Sequence, residues 1–322
     1  FHGFSKAVNS LGCIYVDVDR RYFNSSDSYS KIDIQPGYQR LCGQDALAYV
    51  RYRHEDNDLV RATRQQDFLR QVKAQVGAFG LLGKRDKLLH IFSNYTSSDL
   101  DSRSGILRLL RLAVFSAGNP IQEVHFRAKI GTSYVYARPS VIHKVVRQFL
   151  GVKGSSGPKG VLTAKSRKER KRQRRLDIGI EAAPGPGRDQ ALQVINDGGK
   201  VFPVWYPTKR VRGSLLIGPP TVYKITTRSG RRYAAYRMVL KTGYVGKYYG
   251  LQGTTYTDAP ILDKPSETRT IHGRKFDLYF DGTRLRLVAW KTGDAVYWIS
   301  NTLLLSLSNK QMLAIAASTR HL

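Results

Sequence analysis

The spacing of apolar positions changes several times along the chain, and each spacing predicts an element. Phe4, Val8 and Leu11 recur at helical intervals over residues 1–12. Ile14 to Val18 alternates apolar with polar, as a strand with one buried face does. Residues 20–40 read as a polar excursion, through Asn24-Ser25-Ser26-Asp27-Ser28 to Pro36-Gly37. Gln44 to Val50 predicts a short helix, and Leu59 to about Phe79 a long one, ended by Gly80 and Gly83. On the long helix Leu59, Ala62, Leu69, Val72, Val76 and Phe79 form one apolar stripe. Leu88 to Phe92 can extend a helix, and Ser104 to Val114 is helical again. Gln122 to Phe126 and Ser133 to Tyr136 read as a strand pair, and Pro139 opens a helix through Phe149. This mixture predicts an α/β layered domain over residues 1–150.

Residues 151–200 break the pattern. Gly154-Ser155-Ser156-Gly157-Pro158 is linker chemistry, and Lys165 to Arg175 holds eight basic residues against the single acid Glu169. From Val201 the chain turns aromatic and alternating. Thr221 to Thr227 and Arg232 to Leu240 flank Arg228-Ser229-Gly230-Arg231, a hairpin signal. Lys275 to Phe280, Thr283 to Trp290 and Ala295 to Ser300, joined by Asp281-Gly282 and a second turn through Lys291–Asp294, predict a three-stranded meander. Asn301 to Ala317 is apolar and helical in its second part. Residues 201–322 are therefore expected to form a second, smaller, sheet-rich α+β domain. Its most distinctive stretch, Gly246 to Tyr256, alternates glycines with tyrosines; it reads either as a glycan-contacting surface or as core.

Charge adds the partner class. The chain has 322 residues, a formal net charge of +29 and a pI near 10.2. Such an excess implies anionic partners: phosphate-rich polymer, lipid headgroups or nucleic acid. The aromatic-plus-basic motifs of RNA-binding modules are absent. No G-x-S-x-G elbow is present, and no Cys or His spacing suggests zinc. No apolar run reaches membrane-spanning length.

The candidate chemistry lies between Tyr49 and Gln66. Arg51 and Arg53 are two apart, so on an extended segment they point the same way. Asp56, Asn57 and Asp58 offer helix caps. Arg61, Arg64 and Gln65 follow on neighbouring positions of the helix. Guanidinium forks match phosphate oxygens, and a helix N-terminus favours anions. The pattern fits either a phosphate or pyrophosphate site or a solvated, salt-bridged surface. His54 is the one histidine close to this stretch.

Gly43-Gln44-Asp45-Ala46-Leu47-Ala48-Tyr49-Val50-Arg51-Tyr52-Arg53, followed by Asp58, Arg61, Arg64, Gln65 and Gln66, resembles the C-terminal signature of the LytR-CpsA-Psr family. That signature runs roughly G-x-x-A-L-x-Y-x-R-x-R, an acidic loop, then D-x-x-R-x-x-R-Q. Phe4, Leu11-Gly12 and Val16-Asp17-Val18 resemble the passage upstream, with Cys13 in place of its second glycine. The resemblance covers about residues 1–150 and implies a partial family domain. It implies an extracytoplasmic, membrane-anchored phosphotransferase that moves a glycopolymer from a polyprenyl-pyrophosphate carrier to peptidoglycan. By the same resemblance Arg51, Arg53, Arg64 and Gln65 bind the pyrophosphate, and Asp58 and Arg61 take the catalytic roles. Magnesium is implied as cofactor, with its carboxylate ligands and an anchor helix expected upstream of Phe1. The basic run is then expected to meet anionic wall polymer or lipid headgroups. A non-catalytic binder of wall polymer is the alternative.

The two cysteines, Cys13 and Cys42, fit either a pair of buried small hydrophobes or a disulfide. The even count and the extracytoplasmic setting implied by the resemblance favour the disulfide.

Overall fold

The computed structural model describes residues 1–26, 31–53, 55–95, 104–105, 108, 112, 129–130, 135–151, 179–198, 202–243 and 247–322. Phe1–Ile121 and Gly179–Leu322 form one compact unit, and Gln122–Ile178 a second. Of the regions expected over 1–150 and 201–322, residues 1–121 and 201–322 thus share one unit, and residues 122–150 fall in the second. Lys165–Arg175, most of Ser104–Val114, Gln122–Phe126 and His54 lie outside the described residues.

In the first unit, α1 (His2–Leu11) ends at Gly12 in the left-handed conformation, φ 90°. Strand β1 (Ile14–Val18) follows as expected. The stretch expected to be a polar excursion holds three strands: β2 (Tyr22–Asn24), β3 (Ile32–Ile34) and β4 (Gly37–Leu41). β2 pairs with β3, and β4 pairs with β1, both antiparallel. Two of these strands are only three residues long, too short for alternation to mark them against polar flanks. Helices α2 (Gly43–Arg51), α3 (Asp58–Leu82) and α4 (Arg85–Tyr95) complete the segment. Asn57 caps α3, its side-chain Oδ1 accepting from the Val60 amide at 3.0 Å. Gly77 (φ 62°, ψ 176°) breaks α3 into two helical pieces, six residues before the expected Gly83 stop.

The buried face of α3 differs from the predicted stripe. Leu69 is 59% exposed, whereas Val60, Thr63, Arg64, Asp67, Phe68 and Gln71 are buried. These six keep helical spacing, so the period was right and the phase was wrong over the first turns, while Val72 and Val76 of the predicted stripe do pack against the core. Four of the six are polar, and hydropathy weights them against burial.

Strand β1 is covered on both faces. Ile14, Val16 and Val18 join Tyr22, Leu41, Tyr49 and Phe68 in a core with the helices. Tyr15 and, from β4, Tyr38 join Ile225, Leu287 and Trp298 in a second core with the C-terminal sheet. Asp17, on the Tyr15 face, accepts from Arg237 Nη1 at 3.1 Å and from Trp298 Nε1 at 3.4 Å. Gly37, at φ 122°, lets this layer close: a Cβ there would fall 2.3 Å from the Tyr223 hydroxyl, which accepts from the Tyr38 amide at 2.6 Å.

Residues 180–198, expected within a linker, form β7 (Ile180–Ala182) and a helix (Pro184–Gly198), and the short strands β8 (Trp205–Tyr206) and β9 (Lys209–Val211) follow. The C-terminal part holds an antiparallel eight-stranded sheet, within the sheet-rich region expected over residues 201–322. Numbered from β10 (Leu215–Leu216), its strands are β11 (Thr221–Thr226), β12 (Arg232–Lys241), β13 (Tyr248–Thr254), β14 (Glu267–Ile271), β15 (Arg274–Asp281), β16 (Arg284–Thr292) and β17 (Ala295–Ser300). The β11–β12 hairpin and the β15–β16–β17 meander sit where the turn chemistry placed them. The C-terminal helix (Asn309–Ala317) is closed by a Ser308–Gln311 capping box. Tyr249 and Leu251 of β13 are fully buried. Residues 248–254 of the Gly–Tyr stretch are therefore core. Gly253 accommodates the Tyr236 ring, which a Cβ would meet at 2.3 Å.

The second unit holds a two-residue strand pair, β5 (Lys129–Ile130) with β6 (Val135–Tyr136), and the helix Pro139–Phe149. No described helix is long and apolar enough to cross a membrane.

Candidate functional site

Helix α2 and the start of α3 place their polar side chains around one open cleft of about 1220 Å³. Arg51, Arg53, Arg61 and Gln65 all line it, with Lys31, Asp33 and Asp45. Phe23, Ile32, Leu47 and Ala48 give it an apolar side. Arg51 comes from the last turn of α2, and its guanidinium lies 4.0 Å from the Phe1 ring centroid. Arg53 follows on the extended segment, and Arg61 sits one turn into α3. Two of the arginines are joined through Asp58, whose Oδ1 is 3.3 Å from Arg53 Nε and 3.1 Å from Arg61 Nη2. All three side chains are solvent-accessible, so this bridge is worth under ~1 kcal/mol in stability. Its consequence is geometric: one carboxylate sets the spacing of two guanidinium groups.

Arg64, grouped with these residues by sequence, is elsewhere. Its side chain is fully buried. Nη1 donates to the carbonyls of Tyr49 (3.1 Å) and Tyr52 (3.0 Å), and Nε donates to the Tyr22 hydroxyl at 3.2 Å. Nη2 is paired with Asp56. Asp56, expected as a cap, is instead a buried acid shared by Arg64 and Arg20, whose Nη2 is 2.9 Å from Oδ1. Arg20 also pairs with Glu55 at 2.6 Å and lies 5.1 Å from the Tyr248 ring of the large sheet. The Tyr22 hydroxyl donates to Asp19 Oδ1 at 2.6 Å. Burial pushes the Asp19 carboxyl above its ordinary range, against the Tyr22 hydrogen bond and the charges of Arg20 and Arg64. Burial likewise raises the Tyr22 phenol.

Sequence reading missed Lys31 and Arg20 because both fall in the stretch taken as a polar excursion. The Arg20-Arg21 pair directly after strand β1 is the one signal that marked it.

Cys13 and Cys42 are joined as a disulfide, with Cα atoms 4.5 Å apart. It ties the start of β1 to the residue preceding α2. The acids that reach the cleft do not form a cation cage. Asp33 is held by Arg21 and Gln35, Asp58 by two arginines, and the described residues contain no metal-sized group of three His, Cys, Asp or Glu. The described cleft residues therefore do not form a magnesium site by themselves.

Residues 1–141 match the model of the LytR_cpsA_psr family. An uncharacterised protein of Staphylococcus aureus is 38% identical over 104 residues, covering 30% of this chain and 25% of that protein. The polyisoprenyl-teichoic acid–peptidoglycan teichoic acid transferase TagV of Bacillus subtilis is 29% identical over 110 residues, covering 33% of this chain and 28% of TagV. The crystal structure of B. subtilis TagV overlaps 48% of this chain and 62% of its own, at 22% identity and a TM-score of 0.36. The chain thus spans about a quarter of the length of these two curated relatives. The residues that match the family model hold the whole arginine signature from Arg51 to Gln65.

Proposed function

We propose that the cleft binds the diphosphate of a polyprenyl-linked glycopolymer, and that the protein takes part in transferring the polymer to peptidoglycan at the extracytoplasmic face of the membrane. The observation that carries this reading is the convergence of Arg51, Arg53, Arg61 and Gln65 on one open cleft, with Lys31 on its lining. Four cations against two acids, Asp33 and Asp45, leave the lining net positive. Phosphoryl transfer needs little covalent chemistry from the protein; it needs positioning and neutralisation of oxygens. Arg51 and Arg53 hold the diphosphate, and Gln65 adds an amide donor. Arg61 neutralises the charge that develops on the transferred group, and Asp58 fixes Arg61 relative to Arg53. The apolar side, through Phe23, Ile32 and Leu47, accepts the first isoprene units. The named activity of TagV, a teichoic acid transfer to peptidoglycan, is the same class of reaction.

Binding of polyprenyl pyrophosphate is expected to weaken about ten- to a hundred-fold in Arg53→Ala and in Arg61→Ala, the range for one charged hydrogen bond. Full affinity retained in both variants, measured on the full chain, disproves the reading.

A further inference from the structure

We propose that Arg64 is a positioning residue for the cleft: it fixes the end of α2, and through it the aim of Arg51 and Arg53. The inference rests on the diphosphate reading given above.

The last carbonyls of a helix have no partner within it. In α2 the Ala48 carbonyl still accepts from the Tyr52 amide, so that deficit falls on residues 49–52, where the chain must also turn out to present Arg53. Tyr52 leaves the helix at φ −51°, ψ 130°. Helix α3 supplies the missing donors. Arg64 reaches the carbonyls of Tyr49 and Tyr52, and Gln65 Nε2 reaches that of Val50 at 3.1 Å. The three anchored carbonyls surround Arg51 and lead directly into Arg53. A guanidinium suits this task because its donors lie in one rigid plane. A charge so buried is stable only when paired, and Asp56 supplies the pair. The rings of Tyr22, Tyr49 and Tyr52 enclose the group at 4.5, 5.6 and 5.8 Å. With no solvent-accessible surface, Arg64 cannot touch an anion in the cleft. Its influence passes through the backbone it holds. Gln65 does both tasks, since it lines the cleft and anchors Val50.

The test titrates the full chain with inorganic pyrophosphate by calorimetry and follows amide hydrogen exchange over residues 49–53. Arg64→Lys keeps the charge and loses the fork. It is expected to retain cooperative unfolding, to bind pyrophosphate roughly tenfold more weakly, and to exchange the Tyr52 amide faster. That amide donates to the Ala48 carbonyl at 3.0 Å in the native structure. Arg61→Gln, a change in the cleft itself, is expected to weaken binding with exchange over 49–53 unaltered. If Arg64→Lys does not fold, Tyr22→Phe, which removes only the acceptor for Arg64 Nε and the donor to Asp19, is read in the same two ways. Unchanged affinity overturns the positioning role, and so does weakened affinity with unchanged exchange. A wild-type chain that fails to bind pyrophosphate is a separate result: it removes the anion site, and with it anything for Arg64 to position.

Discussion

Beneath the cleft, the largest fully buried side chain is Arg64, closed off with Asp56, Arg20 and Asp19. In the interior of the eight-stranded sheet the comparable volume is filled by Trp290, Tyr297 and Phe276, with Trp290 and Tyr297 stacked at 5.6 Å between centroids. The first region fixes its geometry with charge, the second with shape. Buried charge tolerates little change, because removal of one partner leaves the other uncompensated. Aromatic packing is less directional and serves a large sheet well. A cleft that must hold several arginines at set spacings gains from the first kind of interior. The sheet, which carries no cleft residue, does not need it.

The two regions meet at β1, where the charged kind of interior crosses into the aromatic one. Arg237 of β12 is fully buried between Asp17 and Ser300, at 3.1 and 2.7 Å. Breaking this joint gives the largest expected effect. Arg237→Ala is expected to cost about 3–5 kcal/mol, because the largely buried Asp17 loses its counter-charge and keeps only the Trp298 indole as donor. Denaturant melts of the single variant and of Asp17→Asn with Arg237→Met measure it, and the double variant should recover much of the loss. If the double variant is as unstable as the single, the joint depends on shape rather than charge, and the contrast drawn between the regions fails.

Next in size is the disulfide, whose 29-residue separation closes a loop across the first region only. Loop-closure entropy gives about 3.5 kcal/mol for a ring of that length. Cys13→Ser with Cys42→Ser should lower the thermal midpoint and raise amide exchange in α2 before it does so in the large sheet. Equal exchange increases in both regions would show that they do not differ in this respect.

The smallest effect is expected at Asp19 and takes the form of a pH slope. Burial holds this carboxyl above its unfolded value, so the folded chain prefers the proton. Its stabilising contribution is complete below the unfolded carboxylate pKa and is lost as pH rises through the folded one. Wild type should therefore lose stability relative to Asp19→Asn as pH rises across that interval. A constant difference between their thermal midpoints would show that Asp19 ionises in the folded chain as it does in the unfolded one.

Legibility followed the same division. The hairpin β11–β12 and the β15–β17 meander were readable because Gly-containing turns and alternation are local signals. Helices α1 and α2, and the helix from Pro139, were readable from local periodicity. Strands β2 and β3 were not, because three residues carry no period. The first turns of α3 were misread because Thr63, Arg64, Asp67 and Gln71 are polar yet buried, Arg64 against the Asp56 carboxylate and the Tyr49 and Tyr52 carbonyls. In the candidate site, Arg51, Arg53, Arg61 and Gln65 could be named from spacing, whereas the separation of Arg64 from them could not.

By itself the sequence determined the arginine spacing, the periods of the long elements and the turns of the large sheet, since each depends on residues within a few positions of one another. Only the tertiary structure decided that Tyr15 and Asp17 are covered. Their alternation with Ile14, Val16 and Val18 describes a strand with one wet face, and no local signal shows that Arg237 and Trp298, more than 200 residues away, lie against it. Whether a polar side chain is solvated or buried depends on what faces it, and that partner is set by the packing of the whole unit.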